Sequence, residues 1–114
     1  MIDIQSVGHV CVDLTPSLSG PPVTTPGVLA EVGPMGIRLG GAVANTARAI
    51  TALGRTAAVA VTVGDDVLGD LCAAMLEEHR PGATVIQRST EHATSYSVVV
   101  SPPEGDRTFW HHTG

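Results

Sequence analysis

The chain contains no lysine, and all six of its basic residues are arginine. That absence excludes a Schiff base to a carbonyl substrate and a phosphate loop ending in Gly-Lys-Ser/Thr. Charge is scarce as well, at 15% of residues against about 25% in an average domain. The balance is acidic, with a net charge of −5, so nothing favours nucleic acid or an anionic membrane as a partner. No motif gathers the arginines around one site. Cysteine is limited to Cys11 and Cys72, far apart and in no metal-ligand spacing, which suits packed free thiols in a reducing compartment. No apolar run approaches the roughly 18 residues of a membrane span, and Met1-Ile2-Asp3 opens into strand-like sequence without a signal peptide. The expected location is the cytoplasm. A Gly-x-Gly-x-x-Gly after the first strand and a Gly-x-Ser-x-Gly elbow are both missing. Of the five histidines, His111 and His112 are strand neighbours that point to opposite faces, and His9, His79 and His92 are scattered, so no metal site is expected.

What is present points to one small α/β domain. The 114 residues are 43% hydrophobic, enough to bury a core. Residues 4–12 are β-branched and apolar with little alternation, which predicts a strand buried on both faces of a parallel sheet. Asp13 ends that run, where a carboxylate at the C-terminal end of a parallel strand meets ligand in open α/β sheets; it would serve equally as a turn or cap. Residues 14–39 are broken by proline and glycine, leaving two short extended pieces, Val28–Val32 and Ile37–Leu39. They predict a small hairpin or flap inserted between core elements. A helix follows over 40–53, then a strand at 56–63, completing a parallel crossover. Asp65 and Asp66 each suit the cap of a second helix, whose stripe is Leu68, Leu71, Cys72, Met75, Leu76 and His79 and which ends at Pro81-Gly82. Three more strands are predicted at 84–87, 95–100 and 107–111, the last two as an antiparallel hairpin.

The most informative stretch is Gly40-Gly41-Ala42-Val43-Ala44-Asn45. A glycine pair lets backbone approach a ligand closely, and Asn45, the only asparagine in the chain, falls in the first helical turn, where free N–H groups and a two-way amide suit a polyhydroxylated ligand. The same residues also suit a tight strand-to-helix turn and nothing more.

Taken together, Gly40-Gly41-Ala42-Val43-Ala44-Asn45-Thr46-Ala47, Leu53-Gly54, Gly64-Asp65-Asp66, Gly69 and Gly105-Asp106-Arg107-Thr108-Phe109 resemble the PfkB family of ribokinase-like carbohydrate kinases. The resemblance spans 1–114 and implies a ribokinase-like α/β fold, a parallel-sheet core with helices and an inserted β lid at 14–39, truncated before the C-terminal half. It further implies that Asp13, Gly40, Gly41 and Asn45 bind sugar hydroxyls and that Ser97 approaches the same sugar. ATP and Mg²⁺ are the implied cofactors and a small sugar the implied substrate; separately, the short, breaker-rich strands of the 14–39 flap offer unpaired edges that a two-fold partner could satisfy, in a homodimer through the lid. The family's second signature, Gly-Ala-Gly-Asp with its catalytic base, does not occur in these residues. No catalytic residue is therefore assigned here; the base is expected beyond Gly114, and the chain alone is expected to be inactive. A nucleoside or other polyol kinase, or a non-catalytic sugar-binding or dimerisation module, are the alternatives.

Overall fold

The first strand-like run divides at a glycine. In the computed structural model, which describes residues 1–79 and 81–114, β1 spans Ile4–Gly8 and β2 spans Cys11–Pro16. Gly8 adopts φ 140°, a conformation that side-chain-bearing residues avoid, and the two strands belong to different sheets. The expected single strand over 4–12 is thus two, and Asp13 lies inside the second rather than at the end of the first. A glycine inside an apolar run marked the bend.

The remaining elements are β3 (Met35–Gly40), α1 (Ala42–Ala52), β4 (Ala57–Gly64), α2 (Val67–Glu78), β5 (Ala83–Ser89), β6 (Tyr96–Val100) and β7 (Thr108–His112). One sheet is parallel, in the order β1-β4-β5. Both crossovers step the same way across it, and right-handed crossovers then place both helices on one face. Val59, Val61 and Val63 on that face bury against Val43, Ala47 and Ile50 of α1 and Cys72 and Leu76 of α2. The opposite face carries the row Val7–Ala60–Val85 and is open, with Val7 69% and Val85 62% exposed. The expectation of strands buried on both faces therefore holds on the helix side alone within these residues.

The second sheet is mixed, in the order β3-β2-β6-β7. β2 pairs antiparallel with β3 and parallel with β6, and β6 pairs antiparallel with β7. The expected 95–100/107–111 hairpin forms. The flap differs from expectation, because its hairpin is β2 with β3 and residues 28–32 form no strand. Pro26 and Gly27, the latter at φ 74°, break the extended backbone there. The connection is closed instead where Gly33 N–H donates to the Ser17 carbonyl at 2.8 Å and Ser17 Oγ–H donates to the Pro34 carbonyl at 2.8 Å. The second sheet thus draws two strands from outside residues 14–39, and only β3 and the end of β2 from inside them.

Candidate functional site

In a sheet, directly paired residues share a face. The register aligns Arg38 of β3, Asp13 of β2, Ser97 of β6 and His111 of β7 in a single row. The next row on that face is Gly36, Thr15, Val99 and Phe109. The face therefore presents a guanidinium, a carboxylate, a hydroxyl and an imidazole side by side, and its concavity, about 400 Å³, is lined by Asp13, Thr15, Ser17, Gly36, Arg38, Val99, Ser101, Arg107 and Phe109. The alternate face carries Val12, Leu39 and Tyr96, which pack on the core, and then Leu14, Ile37, Val98 and Trp110.

Asp13 is half-buried, and its Oδ1 accepts a hydrogen bond from the buried Cys11 thiol at 3.3 Å. Burial pushes that thiol up to about 12, helped by the hydrogen bond to Asp13 and by its negative charge, so the thiol stays protonated and keeps donating. Ser97 Oγ lies 2.8 Å from Nδ1 of His111. His9, just past β1, stacks edge-on against His111 with ring centroids 6.0 Å apart. His9 also lines a second concavity of about 370 Å³ at the C-terminal ends of β1, β4 and β5, the usual ligand position in such sheets.

The glycine pair has a clear structural reason. A Cβ on Gly40 would come within 2.9 Å of the Asp13 carboxyl carbon, so Gly40 is what lets that carboxylate lie across β3. Gly41 is at φ 89°, and a Cβ there would sit 2.8 Å from the His9 carbonyl oxygen and 2.9 Å from the Val10 Cα. It lets α1 seat on the link between the two sheets, where Val43 N–H donates to that same carbonyl at 3.2 Å. Asn45 stands apart from the row. It is exposed on α1, lines neither concavity, and its amide oxygen accepts from Arg48 of the same helix.

The Gly64-Asp65-Asp66-x-x-Gly69 stretch is a structural knot. Asp66, rather than Asp65, caps α2 by accepting from Gly69 N–H at 2.8 Å. It also accepts from Thr94 Oγ1–H at 2.6 Å and Thr94 N–H at 2.9 Å, and Thr94 Oγ1 in turn accepts from Gly64 N–H at 2.9 Å. These bonds, led by the Thr94 hydroxyl, hold the Asp66 carboxyl below its ordinary value. A Cβ on Gly64 would meet Thr94 N at 2.7 Å, which accounts for the glycine. Among the described residues, no three His, Cys, Asp or Glu side chains converge to hold a metal ion, and no helix is long and apolar enough to cross a membrane.

Of the predicted site residues, the structure brings Asp13, Gly40 and Ser97 together on one sheet face, with only Asp13 among the five lining the 400 Å³ concavity; Gly41 packs at the junction of sheet and helix, and Asn45 stands apart on α1. Sequence reasoning missed Arg38, His111 and Arg107. It found no motif gathering the arginines, yet Arg38 and Arg107 line the Asp13 concavity. Their signal was alternation: Arg38 lies two residues from Gly40 on the same strand face, and His111 falls opposite Ser97 once the hairpin register is known.

Comparison with known proteins bears on the family and the fold. The pfkB family carbohydrate kinase pattern matches residues 1–114. An Arabidopsis thaliana protein described as "Probable fructokinase-4" is 33% identical over 107 residues, covering 93% of this chain and 31% of that protein. The structure of the microbiome-derived acarbose kinase Mak1 superposes with a TM-score of 0.80 at 26% identity, over 97% of this chain and 36% of that one. Ribokinase from Cryptococcus neoformans, solved in complex with ADP, matches with a TM-score of 0.70 at 24% identity, over 98% of this chain and 35% of that one. The chain spans about a third of the length of these relatives, with a ribokinase-like α/β fold throughout. From the first strand to the last, this chain belongs to the pfkB family of carbohydrate kinases.

Proposed function

We propose that this chain forms the substrate-binding part of an ATP-dependent sugar kinase that phosphorylates a hydroxymethyl group of a small carbohydrate. The observation that carries the reading is the row Asp13–Ser97–His111 beside Gly40, on the concave face of the second sheet. A carboxylate offers about four acceptor sites, and a hydroxyl paired with an imidazole both donates and accepts, which matches the vicinal hydroxyls of a sugar. In this reading Asp13 orients two hydroxyls, Ser97 and His111 fix a third, and the second sheet covers the sugar and keeps water from competing for the phosphoryl group. Asn45 would join the site through a rotamer that releases Arg48.

ATP with Mg²⁺ is the phosphoryl donor that such a kinase uses, and the residues present do not form its site. The chain has no lysine, the N-terminus of α2 is satisfied by Asp66, the first amide of α1 to bond outside the helix is spent on His9, and no acidic cluster converges among the described residues. The nucleotide site and the catalytic base are therefore assigned to the part of such kinases that this chain does not span.

The test is ATP-dependent phosphoryl transfer by the complete gene product over a panel of pentoses, hexoses, nucleosides and polyols. Sugar phosphate from at least one pentose or hexose is the expected result. Transfer confined to nucleosides would contradict the sugar assignment, and no transfer to any of the panel would contradict the kinase assignment.

A further inference from the structure

We propose that Cys11 is a positioning residue of the sugar site, its thiol holding Oδ1 of Asp13 so that the carboxylate keeps one fixed orientation toward substrate hydroxyls. The inference rests on the sugar-binding reading above and adds to it the residue that presets its principal acceptor.

Cys11 and Asp13 are two residues apart on β2 and share its face. The residue directly across from Cys11 on β3 is Gly40, so no cross-strand side chain fills the space beside the thiol. Asp13 fills it. Its carboxylate leans back over Gly40, where an added Cβ would meet Oδ2 first, and its Oδ1 accepts from Cys11 Sγ–H at 3.3 Å. The two cross-strand neighbours of Asp13 do not hold it. Arg38 lies directly opposite on β3, yet the ion pairs among the described residues are Arg55 with Asp3 and Arg88 with Asp70. Ser97 lies opposite on β6, and its hydroxyl is 2.8 Å from Nδ1 of His111. The orientation of the carboxylate therefore depends on a glycine and a thiol. Cys11 is only 6% exposed, so water cannot take the donor's place once it is removed. Burial pushes the thiol up to about 12, which keeps the proton on sulfur. A thiol is a weak donor. It sets the direction of the carboxylate while leaving most of its acceptor strength for a ligand, strength that a bidentate guanidinium would consume.

The deciding experiment is calorimetric binding of D-ribose and of D-fructose to the complete gene product carrying Cys11→Val, which fills the space without a donor, or Cys11→Ser, which keeps a donor. For whichever sugar binds wild type more tightly, Cys11→Val should weaken binding about fivefold and Cys11→Ser less than about twofold. Added to Asp13→Ala, Cys11→Val should change affinity less than about twofold, because the group through which the thiol acts is gone. A packing role would survive in that background. The infrared S–H band gives a readout that needs no sugar, with the buried Cys72 thiol as internal reference: the Cys11 band should move to higher frequency in Asp13→Ala as the hydrogen bond is lost. Wild-type affinity in Cys11→Val, an equal loss in Cys11→Ser, a loss undiminished beside Asp13→Ala, or an S–H band that Asp13→Ala leaves unmoved would each overturn the proposal while sugar binding stands. Binding of neither sugar to wild type would instead remove the sugar reading, and this proposal with it.

Discussion

Asp13 and Asp66 are both half-buried carboxylates packed against glycines, and the fold uses them in opposite ways. Asp66 is saturated by Gly69 and by two donors from Thr94, so it tethers α2, β4 and the loop before β6 together. Asp13 accepts from one thiol and keeps acceptor capacity turned toward a concavity. On the proposed function, saturation marks the structural carboxylate, and spare capacity marks the binding one. Replacing Asp66 with alanine removes a helix cap, at about 1 kcal/mol, and strands a buried Thr94 hydroxyl, so a loss of about 2–3 kcal/mol is expected from urea midpoints. Because its folded carboxyl lies below the ordinary value of 3.8, this contribution is present above that pH and fades as pH falls toward the folded value. Wild type should therefore lose more stability than Asp66→Asn between pH 6 and pH 3; equal losses would remove Asp66 from the acid response. In sequence Asp65 and Asp66 were equal candidates for the cap, and only the position of Thr94, 28 residues beyond Asp66, separates them.

At the scale of elements, the junction of β3 with α1 concentrates the information that was legible in advance. The glycine pair, the helix after it, the β4 crossover, α2 and the β6–β7 hairpin all followed from periodicity and breakers. The splitting of residues 4–12 into two strands did not, because apolar character persists through Gly8 and both halves find sheet partners. The extent of the second sheet was hidden for a related reason: parallel pairing of β2 with β6 joins residues more than 80 positions apart and leaves no local pattern. The two glycines should now separate experimentally. Gly41→Ala puts a side chain at φ 89° against the backbone of His9 and Val10, which cannot rotate away, so a stability loss of more than about 2 kcal/mol is expected in denaturant melts. Gly40→Ala collides with the Asp13 carboxylate, which can rotate away, so it should retain more stability than Gly41→Ala and lose sugar binding. The reverse order would refute the roles assigned to the pair.

For the whole molecule, the second sheet is amphipathic in an unusual sense: its polar face carries the candidate site and its other face is half core and half exposed. Ile37 and Trp110 on that face, and Val7 and Val85 on the open side of the parallel sheet, are all more than a third exposed. Apolar surface of this kind calls for covering protein. The 114 residues produced alone should bind a hydrophobic dye and self-associate, and should transfer no phosphate from ATP to any sugar. A dye-silent, monomeric chain would contradict the first expectation, and ATP-dependent sugar phosphate formation would contradict the second. The fold class and family were readable at this scale because the glycine motifs carry backbone requirements that few other residues meet. The shared place of Arg38 and Arg107 on one concavity was not, since they are 69 positions apart and on separate elements, Arg38 in β3 and Arg107 in the turn before β7. The most direct measurement of the central claim is kcat/KM for phosphorylation of the preferred sugar by the complete protein carrying Asp13→Ala. The site assignment predicts a loss of about 30- to 1,000-fold, as a polar site loses its principal acceptor for substrate hydroxyls, whereas an unchanged kcat/KM for every sugar in the panel would contradict it.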